Sequence, residues 1–203
     1  MNQNFLSASK IVKGLAIYVI LSIVAAIVET IGAWSAVADL ANGDLSGLVM
    51  FDFYDIFGLI CSVGVIYGLF VYYGGLKALS TGLDAVGNKA VGNIAMAILL
   101  TLIAELISII GIFVPFLGII SAILLIIALI LNIMGYANLQ KSGALSPLGV
   151  AGAKKLFLGY IFGLIGSFFA FIPFLGIIAL VFNILYWVFL FQGWGKIKAS
   201  FNA

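Results

Sequence analysis

The chain contains no histidine, no arginine, one cysteine and three prolines among 203 residues. Without histidine there is no imidazole to ligate haem or metal, to relay protons near neutral pH, or to activate a serine or cysteine nucleophile. A lone cysteine, Cys61, supports neither an intrachain disulfide nor a thiolate cluster and carries no signal about redox compartment. Charge is also scarce, with nine lysines and seven acids giving a net charge of +2. No basic patch is interleaved with aromatics, so nucleic acid is not expected as a partner. These gaps remove most catalytic repertoires; no catalytic residue, cofactor or metal site is expected, and the chain reads as a non-enzyme.

What is present is apolar. Hydrophobic residues make up 65% of the chain and mean hydropathy is +1.34, against roughly 45–50% apolar and about 25% charged in soluble domains. So few charges cannot cover a water-facing surface, and so many aliphatic and aromatic residues exclude disorder. The composition predicts an all-α integral membrane protein, a single membrane domain over residues 1–203 with the lipid bilayer as its first partner.

Apolar runs extend from Ile11 to about Val37, Ile56 to Leu79, Ala90 to Leu139 and Leu156 to Ile197. The third run, about fifty residues long, would make a helix of about 75 Å, more than twice the ~30 Å hydrocarbon core. The last two runs each carry a central Pro-x-x-Gly, Pro115–Gly118 and Pro173–Gly176. Proline disfavours helix in the residue before it and suits the first turn of the next. Each long run therefore reads as two helices around a tight turn, giving six spans. The first span has signal-peptide features, but cleavage would leave five spans and split the lysines, so it reads as retained. With both termini cytoplasmic, all nine lysines fall on one side, while Asp39, Asp44, Asp52 and Asp55 fall on the other. N-in/C-in placement in a prokaryotic cytoplasmic (inner) membrane is the expectation.

Self-similarity divides the six spans into three pairs. Pro115-Phe-Leu-Gly-Ile-Ile recurs at Pro173, and Asp55-Ile-Phe-Gly-Leu-Ile precedes both. Gly58, Gly118 and Gly176 are each followed 17 residues later by Gly75, Gly135 and Gly193, then after four more by Leu79, Leu139 and Ile197. Lys13, Lys89 and Lys155 align the odd spans more loosely, which places Glu29 and Glu105 at matching positions and Phe171 at the third. Three tandem, parallel two-helix hairpin repeats are expected, at about residues 10–82, 88–143 and 152–200. Parallel two-span copies relate by an axis along the membrane normal. The Pro-x-[Asp/Glu]-x-x-[Lys/Arg] signature of mitochondrial carriers is absent. The Val114-Pro-Phe-Leu-Gly turn, the Ile/Leu-rich stretch after it and Gly135 resemble small prokaryotic multi-span membrane proteins of unknown function with Pro-x-x-Gly hairpins. That resemblance implies no activity.

Within the spans, Glu29 and Glu105 are the ion-coupling candidates, since a carboxylate at membrane depth faces a cavity, a bundle interior or a partner. Their alternative role is a hydrogen bond to Thr30, Thr101, Ser108 or the interface. Gly64-x-x-x-Gly68 and Gly159-x-x-x-Gly163 are helix-packing motifs that let backbones approach, either inside the chain or between copies. Asn93, Asn132 and Asn183 could line a path or bond between helices. Trp34, Trp187, Trp194, Tyr72, Tyr73 and Tyr136 read as interfacial anchors, and the acidic first loop as solvated. Two functions are expected from this: a scaffold or accessory subunit, partnered by other membrane proteins or itself, or a small ion or solute transporter using Glu29 and Glu105.

Overall fold

The computed structural model describes residues 2–42, 53–111, 114, 116–170, 172 and 174–202, apart from the side chains of Glu29, Leu40, Asp55 and Ala170. Pro115, Pro173 and Phe171, the loop aspartates Asp44 and Asp52, and the carboxylates of Glu29 and Asp55 lie outside the described residues.

The described chain is all-helical: α1 Gln3–Ala41, α2 Phe53–Ser80, α3 Ala85–Gly111, α4 Leu117–Leu139, α5 Pro147–Ala170 and α6 Gly176–Ser200. All six are long and apolar enough to cross a membrane. The two long apolar runs divide at their Pro-x-x-Gly segments, with new helices starting at Leu117 and Gly176. Helices overrun the apolar runs at their lysine-bearing ends; α1 starts at Gln3 and α5 at Pro147. A lysine ends a membrane-compatible run but is a good helix former, so the backbone ladder continues past it into the polar zone.

Consecutive helices pair antiparallel, α1 with α2, α3 with α4 and α5 with α6. Three sparser seams, α2–α3, α4–α5 and α1–α6, close the pairs into a ring. Glycines set how close the helices lie. A Cβ on Gly14 would fall against the backbone of Tyr72 and Gly68, and one on Gly68 would meet Tyr18 N at 2.6 Å. The same contact recurs in each pair. Gly75 abuts the Ser7 carbonyl and Ile11, Gly135 abuts the Ala90 carbonyl and Ile94, and Gly193 abuts the Gly152 carbonyl and Leu156. In each case the carbonyl and the side chain are four residues apart on the odd helix, one turn along a single face.

The lysine-bearing ends are tied together. The Asn4 side chain donates to the Gly82 carbonyl at 3.0 Å, and Asn2 donates to the Phe201 carbonyl at 3.4 Å. Asp84 makes the most elaborate tie. Its Oδ1 accepts from Gly87 N at 2.9 Å, capping α3, and from Ser142 Oγ at 2.5 Å; its Oδ2 accepts from Gly143 N at 3.0 Å. The Ser142 hydroxyl first, then the Gly87 and Gly143 amides, hold the Asp84 carboxyl below its ordinary value of 3.8. At the opposite end, the α5–α6 turn carries Phe174 with φ 70°, left-handed backbone in a non-glycine residue, and its side chain is fully exposed.

Candidate functional site

Among the described residues the backbones of α2, α4 and α6 stay apart from one another; aromatic side chains reach across the middle of the ring instead. Tyr72 from α2, Tyr136 from α4 and Trp194 from α6 are all buried. Trp194 Nε1 donates to the Tyr72 hydroxyl at 2.8 Å, and the Tyr72 and Tyr136 hydroxyls share a hydrogen bond at 2.9 Å. The rings meet edge-on, with centroids 6.1 Å apart for Tyr72–Trp194 and 6.2 Å for Tyr136–Trp194. Below this cluster, toward the lysine-bearing ends, Leu76, Leu79, Leu139 and Ile197 fill the interior. The axis is plugged on that side. This corrects the expectation that these three aromatics anchor the chain at the interface. Tyr136 and Trp194 directly follow the glycines that press the even helices onto their partners, and that position faces inward. Trp34, by contrast, is 71% exposed and keeps a surface role.

Beyond the plug the ring is hollow. A cavity of about 590 Å³ is lined by residues from all six helices. Tyr18, Tyr72, Tyr160 and Tyr186 surround its inner end, where Tyr160 and Tyr186 pack edge-on at 5.2 Å. Its long wall is α4, from Ala122 to Asn132, and the facing wall is α5, from Tyr160 to Phe168. Leu125, Ile126, Leu164 and Phe168 line the cavity and are also exposed on the outer surface. The cavity therefore opens sideways, through the α4–α5 seam, onto an apolar surface.

Asn132 joins the four tyrosines in the cavity lining. The residue is 3% exposed, and its Oδ1 is buried with no hydrogen-bond partner among the described residues. Sequence reasoning placed Asn132 on a path or in an interhelical bond; the structure puts it in the cavity wall. Asn93 and Asn183 are both half-buried and do not line the cavity.

The two acidic candidates separate. Glu105 is half-buried, four residues beyond Thr101 and seven beyond Ile98, both of which line the cavity, so it shares their face of α3. It lies within electrostatic reach of Tyr18. The glycine contacts make Ile11 and Ile94 equivalent in depth. Glu29 lies eighteen residues beyond Ile11, whereas Glu105 lies eleven beyond Ile94. The α1 position is thus two turns, about 10 Å, further from the lysine-bearing ends. Aligning the odd spans on their lysines hid this offset. Thr30 and Thr101 donate to the carbonyls of Ala26 and Ala97, one turn back on their own helices. Ser108 bonds Ser121 across the α3–α4 pair at 2.8 Å.

The helix-packing candidates are used inside the chain. Gly64 lies against Leu21, Gly68 against Tyr18 and Gly14, Gly159 against Phe189 and Tyr186, and Gly163 against Tyr186. Gly118 and Gly176 have open space where a Cβ would stand. Among the described residues no three His, Cys, Asp or Glu side chains group as metal ligands. Comparison with known protein families, with characterised proteins and with solved structures finds no match.

Proposed function

We propose that this is a non-enzymatic membrane protein that takes an apolar molecule from the bilayer into its lateral cavity. In this reading the six helices are three tandem parallel hairpin repeats in a prokaryotic inner membrane, with both termini and all lysines in the cytosol. The recurring glycine register of the three pairs supports the repeat, and the lysine distribution supports the orientation. The observation that carries the functional reading is the cavity itself. Its volume lies within the roughly 300–1,000 Å³ of small-molecule sites, and its mouth opens between α4 and α5 at membrane depth.

Of the two functions expected from sequence, solute handling is the better supported. Transport of an ion along the axis is disfavoured by the aromatic plug and by the depth offset between Glu29 and Glu105. Glu105, beside the cavity, keeps a role at its rim. Assembly through Gly64, Gly68, Gly159 and Gly163 is disfavoured because this chain's own helices occupy those positions. An accessory-subunit role is favoured by the turn side alone, where the uncharged turns present exposed Phe116 and Phe174.

Native mass spectrometry of the purified protein tests the cavity. Wild type is expected to retain a small lipid through mild detergent, and Ala122→Phe, at the exposed mouth, to lose it. Equal retention by both proteins overturns the reading.

A further inference from the structure

We propose that the head of the cavity's occupant is an uncharged hydrogen-bond acceptor, a carbonyl oxygen at one end of a long apolar chain, and that the hydroxyls of Tyr18 and Tyr186 donate to it. The inference rests on the cavity reading above and adds the chemistry of the head group.

Counting protons points to an acceptor. A chain of donors runs from the plug to the cavity, from Trp194 Nε1 through the hydroxyls of Tyr72, Tyr136, Tyr160 and Tyr186. Trp194 donates to Tyr72, and Tyr72 pairs with Tyr136. The Tyr160 hydroxyl stands within reach of those of Tyr136 and Tyr186. Five N–H and O–H protons thus meet at most four links, and each link uses one. At least one proton is left over whichever way the hydroxyls turn. The indole only donates, so it cannot absorb the surplus, and its bond to Tyr72 polarises the chain outward. At the far end, Tyr186 has Tyr160 as its one hydrogen-bond partner among the described residues. A donor facing an apolar space without an acceptor is costly, and such groups are rare in native structures unless a partner arrives from elsewhere.

No other group on the lining takes that proton among the described residues. Thr101 and Ser167 are engaged with the carbonyls of Ala97 and Gly163 on their own helices, and Asn132 Oδ1 is buried away from the cavity without a partner. Tyr18 adds a second donor, since its hydroxyl makes no hydrogen bond among the described residues. It lies seven residues past Ile11, as Tyr186 lies seven before Gly193, so both sit about 10 Å from the level of the glycine contacts. The two are within electrostatic reach of each other. A single acceptor placed between them serves both.

The acceptor is uncharged. Among the described residues no lysine lines the cavity, so a carboxylate or phosphate head would stand at membrane depth without a counter-charge there. An ammonium head brings no acceptor for the surplus proton. A carbonyl oxygen supplies the lone pairs and needs no counter-charge.

The walls fit a chain. From Asn132 to Ala122 the α4 wall spans ten residues, about 15 Å, which is half the thickness of the hydrocarbon core. It is formed by leucine, isoleucine and alanine, with phenylalanine and leucine from α5 opposite. Because α4 and α5 remain packed together along their seam, the mouth admits one chain edge-on.

The test uses the full-length protein in phosphatidylcholine nanodiscs, with every probe at the same mole fraction of the lipid and binding read by native mass spectrometry. Heptadecan-2-one carries the acceptor; 2-methylheptadec-1-ene has a methylene in place of the oxygen and is otherwise the same shape. Wild type is expected to bind the ketone about two- to tenfold more tightly than the alkene, the value of one net hydrogen bond. It should also prefer the ketone to hexadecanoate and to hexadecyltrimethylammonium at pH 8. Methyl hexadecanoate and 2-decyl-1,4-benzoquinone divide the carbonyl sources, the tighter of the two naming a lipid ester or a lipid quinone. Tyr18→Phe with Tyr186→Phe keeps the cavity and should bring ketone and alkene toward parity while still binding both. Ala122→Phe should weaken all probes. If wild type binds ketone and alkene alike, favours either ion, or keeps its preference in the double variant, the head-group assignment is overturned while the cavity reading survives. If no probe binds, and Ala122→Phe behaves as wild type, both fail. Should the double variant not fold, the ketone-to-alkene ratio in wild type decides alone.

Discussion

Tyr72 uses one hydroxyl to satisfy two partners from two other helices. Replacing it with phenylalanine leaves Trp194 Nε1 without its partner in the buried centre, at about 1–3 kcal/mol, and takes one hydrogen bond from the Tyr136 hydroxyl. Tyr136→Phe removes one bond and leaves Trp194 paired. Thermal unfolding in detergent should therefore rank wild type above Tyr136→Phe, and Tyr136→Phe above Tyr72→Phe. Asp84 gives a pH-dependent counterpart outside the spans. Its carboxyl is held below 3.8 by Ser142, Gly87 and Gly143, so the ionised form is favoured by folding. The stabilisation is present in full above that ordinary value and is lost as pH falls through the lower folded value. Acid titration of stability from neutral pH to about pH 3 should show a downturn that Asp84→Asn lacks, since an amide does not titrate there. At neutral pH Asp84→Asn should already resemble the acidified wild type.

Helix pairs are governed by their glycines, and here position matters more than identity. Gly75→Ala, Gly135→Ala and Gly193→Ala each push a methyl into a partner helix's carbonyl or side chain at 3.1 Å or less, and each should lower the unfolding temperature. Gly195 in α6 has open space around it, so Gly195→Ala should be neutral or stabilise by roughly 0.5–1 kcal/mol through helix propensity. The six helices and the glycine register were readable because length, proline turns and the 17-residue spacing are local signals. Leu79, Leu139 and Ile197 were readable as a set for the same reason, and all three are buried. The inward-facing aromatics were not. A tryptophan near a lysine-bearing helix end has the same composition whether it points to the interface or to the ring centre. Only the packing of α2, α4 and α6 separates the two. The cavity was invisible for a related reason: it is an absence of atoms between elements whose individual faces are all apolar. Asn132 stood out as a polar residue in an apolar run, but its orphaned oxygen is a property of the assembled ring.

At the level of the whole molecule, the ring places lysines at one end and uncharged turns at the other. In intact cells, membrane-impermeant amine reagents should fail to label Lys141 and Lys154, and should label them once the membrane is permeabilised. Labelling from outside would invert the orientation. Gly64→Leu with Gly68→Leu should break the α1–α2 pair, and with it the fold, rather than release intact protomers from an assembly. One dimension of the ring is uneven. α1 meets α2 at Gly32 and Tyr54 and meets α6 through Tyr18–Trp187 and Phe5–Lys198. These registers put the start of α6 opposite residue 29 or so. From Trp34 to Ala41 the helix therefore outruns the described part of both neighbours, by about 12 Å. Among the described residues these two turns have no helix beside them, and a helical segment without packing partners is marginal in water. That tip should be the first part of the protein to fray, exchanging its amide hydrogens with solvent deuterium long before the buried glycine crossings give up theirs.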